Sequence, residues 1–386
     1  MPAKRYLMTP GPTPVPPTVA AALALPIIHH RTGEFRALLA RVLERLSAVY
    51  RTRNEIALFT SSGTGAMDAA VANLCSPGDR VVVSAGAFGE RWASLVAAYG
   101  CDPVYVRYEW GETPSADDVA SALEDAGGAR AVFLTHSETS TGVVADVEEI
   151  AARVAPSGAL TVVDAISSLG AVPLETDAWG LDVVVAGSQK ALMTPPGLGM
   201  SSVSDRALAA ARGSTTRRFY FDWERTLAAQ REEPPVNPFT PAIPLVRGLD
   251  AALELLLAEG LERAFDRHVR LGRACRAGVK AMGLELFSPD EDRSAVVTAI
   301  RMPPEIDGGA VISEVSERHG ITLEGGRGPL VGKIVRIGHI GYVDVFDVTA
   351  ALTAVEQVLT GLGADVERGL AATAALEAYG GETVRA

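Results

Sequence analysis

Three short segments of this 386-residue chain carry residue types that could do chemistry on a phosphorylated, carbonyl-bearing molecule. In DVVVAGSQKALMTPPGLGM (182–200), Lys190 follows an apolar run and precedes Pro195, Pro196 and two glycines. A lysine on a short loop beside apolar strands loses its proton readily and can form a Schiff base with a carbonyl. In LTVVDAISSLG (160–170), Asp164 ends a second apolar run. That is where open α/β sheets bind ligands, and an ionised carboxylate there calls for a cationic partner. In SSGTGAMDAA (61–70), Ser62, Gly63 and Thr64 follow a third run and open a helical stretch. Hydroxyls and backbone N–H groups then meet at the positive end of a helix, which suits a phosphate.

Each segment alone has a plainer reading. A lone lysine is ordinarily a solvated surface residue, and Asp164 could cap a helix or close a local turn with Ser167 and Ser168. The Ser-Gly-Thr segment also suits a tight turn. It is no Walker A loop, because no Gly-Lys-Ser/Thr follows, and Asp68 stands where a dinucleotide fingerprint needs its third glycine. Taken together, the three supply a phosphate anchor, an anion for a pyridinium nitrogen and an amine for an aldehyde, the parts of a pyridoxal phosphate site. Phe88 in GAFGER could lie flat on the pyridine ring, and Thr139 in HSETSTG could reach the ring's phenolic oxygen. Phe88 also reads as a core residue and Thr139 as a turn residue.

Elements of alternating period must position these residues. Apolar positions recurring at three and four predict an amphipathic helix over 33–50, and short β-rich runs predict strands at 55–59, 80–84, 131–135, 160–163 and 182–186. Continuous apolar strands separated by helices suit a parallel sheet covered on both faces. NPFTPAIP (237–244) then interrupts the chain before two helical stretches, 245–260 and 261–282. Residues 283–363 read strand, strand, helix, strand, helix, a small α+β unit, and the Ala-rich end predicts a fraying terminal helix. The expected organisation is an N-terminal arm (1–20), a large α/β domain (21–260) and a small C-terminal domain (261–386).

Composition removes several function classes. Apolar residues make up 48% and charged residues 21%, as in a globular chain, and Lys+Arg 35 against Asp+Glu 47 gives a net charge of −12. That balance leaves no polybasic footprint for nucleic acid or anionic lipid. No apolar stretch approaches the roughly 18 residues of a membrane helix, and the proline-rich start lacks the apolar run of a secretory signal. Three cysteines without metal-ligand spacing predict neither a disulfide framework nor a metal site, so the cytoplasm is the expected address.

MTPGPTPVP, SSGTGAMDAA, GAFGER, HSETSTG, VVDAISSLG, GSQKALMTPPG, NPFTPAIP and VRIGHIGY together resemble the successive motifs of class V aminotransferases. These form the alanine–glyoxylate and serine–glyoxylate branch of fold type I pyridoxal phosphate enzymes, and the likeness runs from about Met8 to Leu362. GSQK before two prolines and the VVD strand are its most specific pieces. The resemblance implies a fold type I transferase, with a large, mostly parallel sheet domain and a small α+β domain. It implies pyridoxal 5'-phosphate as cofactor and transfer of an amino group from a small L-amino acid to glyoxylate or pyruvate. Carried over by position, it gives Lys190 the cofactor aldehyde and Asp164 the pyridinium nitrogen. Ser62, Gly63, Thr64 and Gln189 would hold the phosphate, Phe88 would stack on the ring, and Thr139 would contact the ring oxygen. Arg336 in KIVRIGH would pair with the substrate α-carboxylate, which accords with the bidentate fork an arginine offers; a structural ion pair is its plainer reading. Thr240 would reach the phosphate of a neighbouring subunit, so a homodimer is implied. Two residues depart from the family pattern: Phe88 replaces a stacking tryptophan or histidine, and Phe239 replaces a tyrosine beside Thr240. Arg31 and His339 receive no role, although Arg31 is the one cation considered for a second substrate carboxylate.

The rival readings are an aspartate or 2-aminoethylphosphonate aminotransferase, or an epimerase or lyase of the same fold. Desulfuration lacks its thiol, because 321–335 contains no cysteine. A catalytically silent binding protein would not require both Lys190 and Asp164, and a nicotinamide-linked dehydrogenase would not require the lysine.

Overall fold

The computed structural model describes residues 5–84, 86, 89–288 and 295–381. The chain begins with a two-residue strand, β1 (Tyr6–Leu7), and two helices, α1 (Pro17–Leu23) and α2 (Gly33–Tyr50). Thr32 caps α2, accepting the Phe35 N–H on its side-chain oxygen. Phe35, Leu38, Leu39, Val42, Leu46 and Val49 form the buried stripe, and Arg51 in the left-handed region ends the helix.

Strands and helices then alternate: β2 (Glu55–Phe59), α3 (Gly63–Leu74), β3 (Arg80–Ser84), α4 (Gly89–Ala98), β4 (Asp102–Val106), α5 (Ala116–Asp125) and β5 (Ala131–Thr135). A small hairpin of β6 (Ser137–Glu138) and β7 (Val143–Val144) precedes α6 (Val147–Val154), β8 (Leu160–Asp164), β9 (Val183–Gly187) and β10 (Gly199–Val203). Seven of these strands form one sheet in the order β2-β10-β9-β8-β5-β3-β4. The pairs β9–β8, β8–β5, β5–β3 and β3–β4 are parallel, while β10 runs antiparallel between β2 and β9. Two apolar layers cover the sheet, one built on α2 and the other on α3. This burial on both faces explains why the central strands are continuous apolar runs.

After α7 (Asp205–Gly213) and α8 (Trp223–Gln230), the helices α9 (Ile243–Glu259) and α10 (Leu261–Ala281) meet at Gly260. A separate core forms beyond them from α10, β11 (Val297–Arg301), α11 (Gly308–His319), β12 (Ile321–Thr322), β13 (Glu324–Gly325), β14 (Ile334–Gly338), α12 (Val345–Gly361) and α13 (Ala371–Gly380). Its antiparallel sheet has the order β11-β14-β13. β1 pairs in parallel with β12, so the N-terminal segment belongs by contact to this second core, which also contains Met8. Of the two strands expected at the start of 283–363, the first is represented by a single bridge between Leu286 and Ile300.

Candidate active site

The expected residues meet where the parallel strands end. Asp164 is the last residue of β8, and Lys190 lies three residues beyond β9. The turn after β2 leads into the first residues of α3. This is the carboxyl edge of the sheet, where α/β folds place their ligands. A cavity of about 220 Å³ opens there, and Ser62, Gly63, Thr64, Asp164, Gln189 and Lys190 all line it.

The α3 end fits an anion. Ser62 is the N-cap yet makes no side-chain capping bond, and no acidic residue stands in the first turn. The first N–H groups of a helix lack intrahelical partners, and the macrodipole adds partial positive charge. Gln189 also lines the cavity; its Oε1, an acceptor, is buried without a hydrogen-bond partner, so only its Nε2 could donate to an anion. Gly63 is required by packing, since a Cβ there would come within 2.6 Å of Ile166 Cδ1. Ile166 itself lines the cavity and offers it an apolar wall.

Asp164 is 5% exposed and accepts the Ile166 N–H at 2.8 Å on Oδ1. Burial pushes its carboxyl up to about 6, against the opposing pull of the Ile166 N–H, Arg91 and Lys190. A cation placed beside it would hold it ionised. Lys190 donates to Pro10 O at 2.6 Å, while Thr13 Oγ1 donates to Lys190 O at 2.9 Å. Gly11 (φ +139°) lies against the lysine, where a Cβ would stand 2.4 Å from Nζ. Burial brings the Lys190 amine down to about 8; Asp164 opposes this, and Arg336, Arg327 and Arg91 add to it. The site therefore contains an amine that is in part neutral near pH 7, beside a buried acid and an anion cradle.

Five residues named from the sequence lie outside the residues that line this cavity. Thr139 is 2% exposed and outside the residues lining the cavity; its carbonyl accepts from Arg336 Nη1 at 2.7 Å. Arg336 sits on β14, the middle strand of the small sheet, and is 1% exposed. Its Nε donates to Gly325 O at 2.7 Å, and Nη2 is buried without a hydrogen-bond partner, 3.6 Å from Glu324 Oε1. Thr240 is exposed and borders a different pocket with Thr60 and Tyr220. Phe88 lies outside the described residues. Arg31 is exposed and does not line the cavity, while His339 is buried, with Nε2 in a hydrogen bond to Thr298 Oγ1 at 2.9 Å and Nδ1 3.2 Å from Ala295 O.

Arg91, Ser137, Ile166, Ser167, Pro196 and Arg327 line the cavity without having been singled out. Arg91 stands in GAFGER and Ser137 in HSETSTG, so motif membership was a usable signal for both. Arg327 had no such mark. Among the described residues, no group of three or more His, Cys, Asp or Glu side chains is placed to hold a metal ion.

The family model for class-V aminotransferases matches residues 5–348. The soluble hydrogenase small subunit of a Synechococcus species is 43% identical over 93% of this chain and 94% of its own. The serine–glyoxylate aminotransferase of Methylorubrum extorquens is 35% identical, covering 97% of this chain and 96% of that one. Among solved structures, the ureidoglycine–glyoxylate aminotransferase of Bacillus subtilis superposes with a TM-score of 0.94 at 30% identity, covering 98% of this chain and 99% of that one.

Proposed function

The chain belongs to the class-V aminotransferase family, and from that premise we propose that it moves the amino group of a small L-amino acid such as serine or alanine to glyoxylate or pyruvate. The observation that carries this reading is the convergence of Lys190, Asp164 and the α3 end on one cavity. The family's cofactor, pyridoxal 5'-phosphate, supplies an aldehyde and an electron-accepting ring when bound.

In this reading the α3 N–H groups, Ser62, Thr64 and Gln189 would hold the phosphate, and Ile166 would offer the cofactor an apolar wall. Asp164 keeps a proton on the ring nitrogen, which satisfies the carboxylate's own need for a cation. Lys190 would hold the aldehyde, and its amine would serve as the acid–base group at the substrate Cα. The resemblance would assign Thr139 to the ring oxygen and Phe88 to stacking on the ring. Arg336 receives the α-carboxylate on Nη2, the one guanidinium nitrogen without a hydrogen-bond partner.

Labelled transfer tests the reaction. Holoenzyme given ¹⁵N-serine and glyoxylate should yield ¹⁵N-glycine and the 2-oxo acid in equal amounts; label that stays on serine would contradict the reading. Arg336→Lys keeps the charge but loses the planar fork, so KM should rise by roughly tenfold or more for amino and oxo acids alike. A rise for only one of them would show that the two do not share Arg336.

The Lys190 amine sets a pH dependence for loading the cofactor. Only the neutral amine attacks an aldehyde, and a pKa of about 8 leaves roughly a tenth of it neutral at pH 7. Reconstitution of the apoenzyme should therefore speed up about tenfold from pH 6 to 7 and level off above about pH 9. A rate still climbing beyond pH 10 would mean an unperturbed lysine.

The same reading includes a homodimer in which Thr240 completes the partner's phosphate cradle. Its support is that Thr240 is exposed and outside its own chain's cavity, beside a cluster in which Phe239 stacks on Tyr220 and Phe219 is 65% exposed. A fully active monomer would contradict it. The division at residue 260 remains our reading, supported by a separate core that begins with α10, whereas α1 runs across the expected boundary at residue 20. A cytoplasmic address rests on composition; among the described residues, no helix is long and apolar enough to cross a membrane.

A further inference from the structure

We propose that His268 and Arg267 are positioning residues: through Gly341 they hold the Lys190 turn in place, so that the amine and Arg336 stand at a fixed separation across one substrate. The proposal rests on the amino-transfer reading and adds to it what sets the geometry of those two groups.

His268, on α10, is 1% exposed and is not among the residues lining the cavity. Its Nδ1 lies 2.6 Å from Ala264 O, so the ring carries its proton there, and Nε2 accepts the Gly341 N–H at 3.0 Å. Burial pushes the pKa of the ring down to about 3, which keeps Nε2 an acceptor at neutral pH. Arg267, one residue earlier, donates from Nη1 to Gly341 O at 2.9 Å. Its other nitrogens are gripped by Glu259, the last residue of α9, at 2.6 and 3.0 Å. Both polar groups of the Gly341 backbone are therefore clasped from α10.

The other side of Gly341 meets the lysine. The residue has φ +76°, and a Cβ there would stand 3.1 Å from Lys190 O, 3.2 Å from Met193 Cγ and 3.3 Å from Thr13 Oγ1. Lys190 O in turn accepts from Thr13 Oγ1 at 2.9 Å and from the Met193 N–H at 3.0 Å. Gly341 thus backs the turn whose lysine side chain lines the cavity.

Arg336 lies five residues before Gly341, at the other end of the same run of chain. That run is braced against the segment that holds the amine. Gly338 N–H donates to Met8 O at 2.7 Å, a Cβ at Gly338 would fall 2.1 Å from Thr9 O, and Pro10 O accepts Lys190 Nζ at 2.6 Å. One short stretch, 336–341, therefore registers both the guanidinium and the lysine turn. Loss of the His268 acceptor would leave the buried Gly341 N–H unpaired, and the stretch would shift to satisfy it. A displacement of about 1 Å between groups that act on one substrate costs on the order of 100-fold in rate.

The test compares wild type with three variants. His268→Leu removes the acceptor, His268→Gln offers Oε1 in place of Nε2, and Arg267→Met releases the less buried half of the clasp should His268→Leu not fold. With L-serine and glyoxylate, kcat of the His268→Leu holoenzyme should fall about 10- to 100-fold with KM within about threefold, because Arg336 still receives the substrate. Cα-deuterated serine should then show a larger isotope effect than in wild type, since proton transfer has become the slow step. His268→Gln should recover most of the loss, and Arg267→Met should lose roughly three- to tenfold. Competitive acetylation of the apoenzymes with acetic anhydride, read at the Lys190 peptide across pH, follows the amine without any turnover. Its midpoint, near 8 in wild type, should move up toward about 9 in His268→Leu as water reaches the amine. A kcat within about threefold of wild type in both His268→Leu and Arg267→Met, a loss carried by KM, or a loss that His268→Gln shares in full overturns the proposal. So does a lowered Tm with an unmoved Lys190 midpoint, which would make the clasp merely structural. If even wild type transfers no amino group yet the Lys190 midpoint still depends on His268, amino transfer fails and the positioning role stands.

Discussion

Lys190→Ala should reduce amino transfer by about 10⁴-fold or more, because one amine is asked to anchor the cofactor and to carry the proton at the substrate Cα. Among the described residues, no other lysine lines the cavity. The phosphate cradle is untouched by this change, and the variant should still bind the cofactor non-covalently. The change removes the Nζ bond to Pro10 O but leaves the bonds that Thr13 donates, from its N–H to Gln189 O and from its Oγ1 to the carbonyl of residue 190. Stability should therefore move little. Adding a small primary amine should restore part of the proton transfer, an outcome that a folding defect would not give. Retention of more than about 1% of wild-type turnover would remove Lys190 from the role.

Asp164→Asn should depress turnover by about 10³-fold or more, since the ring loses the buried charge that keeps its nitrogen protonated. The substitution also has an opposite, measurable effect on the apoenzyme. Burial raises the folded carboxyl to about 6 against an ordinary 3.8, so the native state binds more protons than the unfolded one between those values. Apoenzyme stability then falls as pH rises from about 4 to 6 and stays lower above that, by up to about 3 kcal/mol. Asn cannot ionise. Apo Asp164→Asn should consequently have a higher Tm than apo wild type at pH 7.5, with the gap closing near pH 4. With cofactor bound the order should reverse, because only the aspartate gains the ring's positive charge. An apo variant that is less stable at pH 7.5, together with near-normal turnover, would contradict the assignment.

The legible part of the fold was the part buried on both sides. EIALF, RVVVS and AVFLT became β2, β3 and β5 with the expected bounds, because a strand sandwiched between helices shows as an unbroken apolar run. The helix at 33–50 was equally plain from its apolar stripe. β4 and β10 gave no such signal. β4 lies at the sheet edge, begins Asp-Pro and is partly exposed, while β10 reads GMSSV, with Ser201 and Ser202 fully buried. Neither has the composition of a buried strand.

The site divides along similar lines. Ser62, Gly63, Thr64, Asp164, Gln189 and Lys190 sit within a few residues of strand ends, so finding the strands located them together. Gly11 and Arg327 come from distant parts of the chain and touch the site only because the fold closes over Lys190. Arg31 illustrates the converse: a charge in a promising stretch that the structure leaves in solvent. Thr240 falls between the two cases, since its expected role belongs to a second copy of the chain.

The central claim is that one cavity, through Lys190, takes an amino group from one substrate and gives it to another. The direct test is a two-step single turnover on purified holoenzyme. L-Serine or L-alanine, without any oxo acid present, should convert the bound aldehyde to its amine form and release one equivalent of 2-oxo acid per active site. Glyoxylate added after removal of the first product should restore the aldehyde and release one equivalent of glycine, and borohydride reduction at that point should label Lys190. Spectral conversion without a stoichiometric 2-oxo acid, or labelling of a different lysine, would contradict the account.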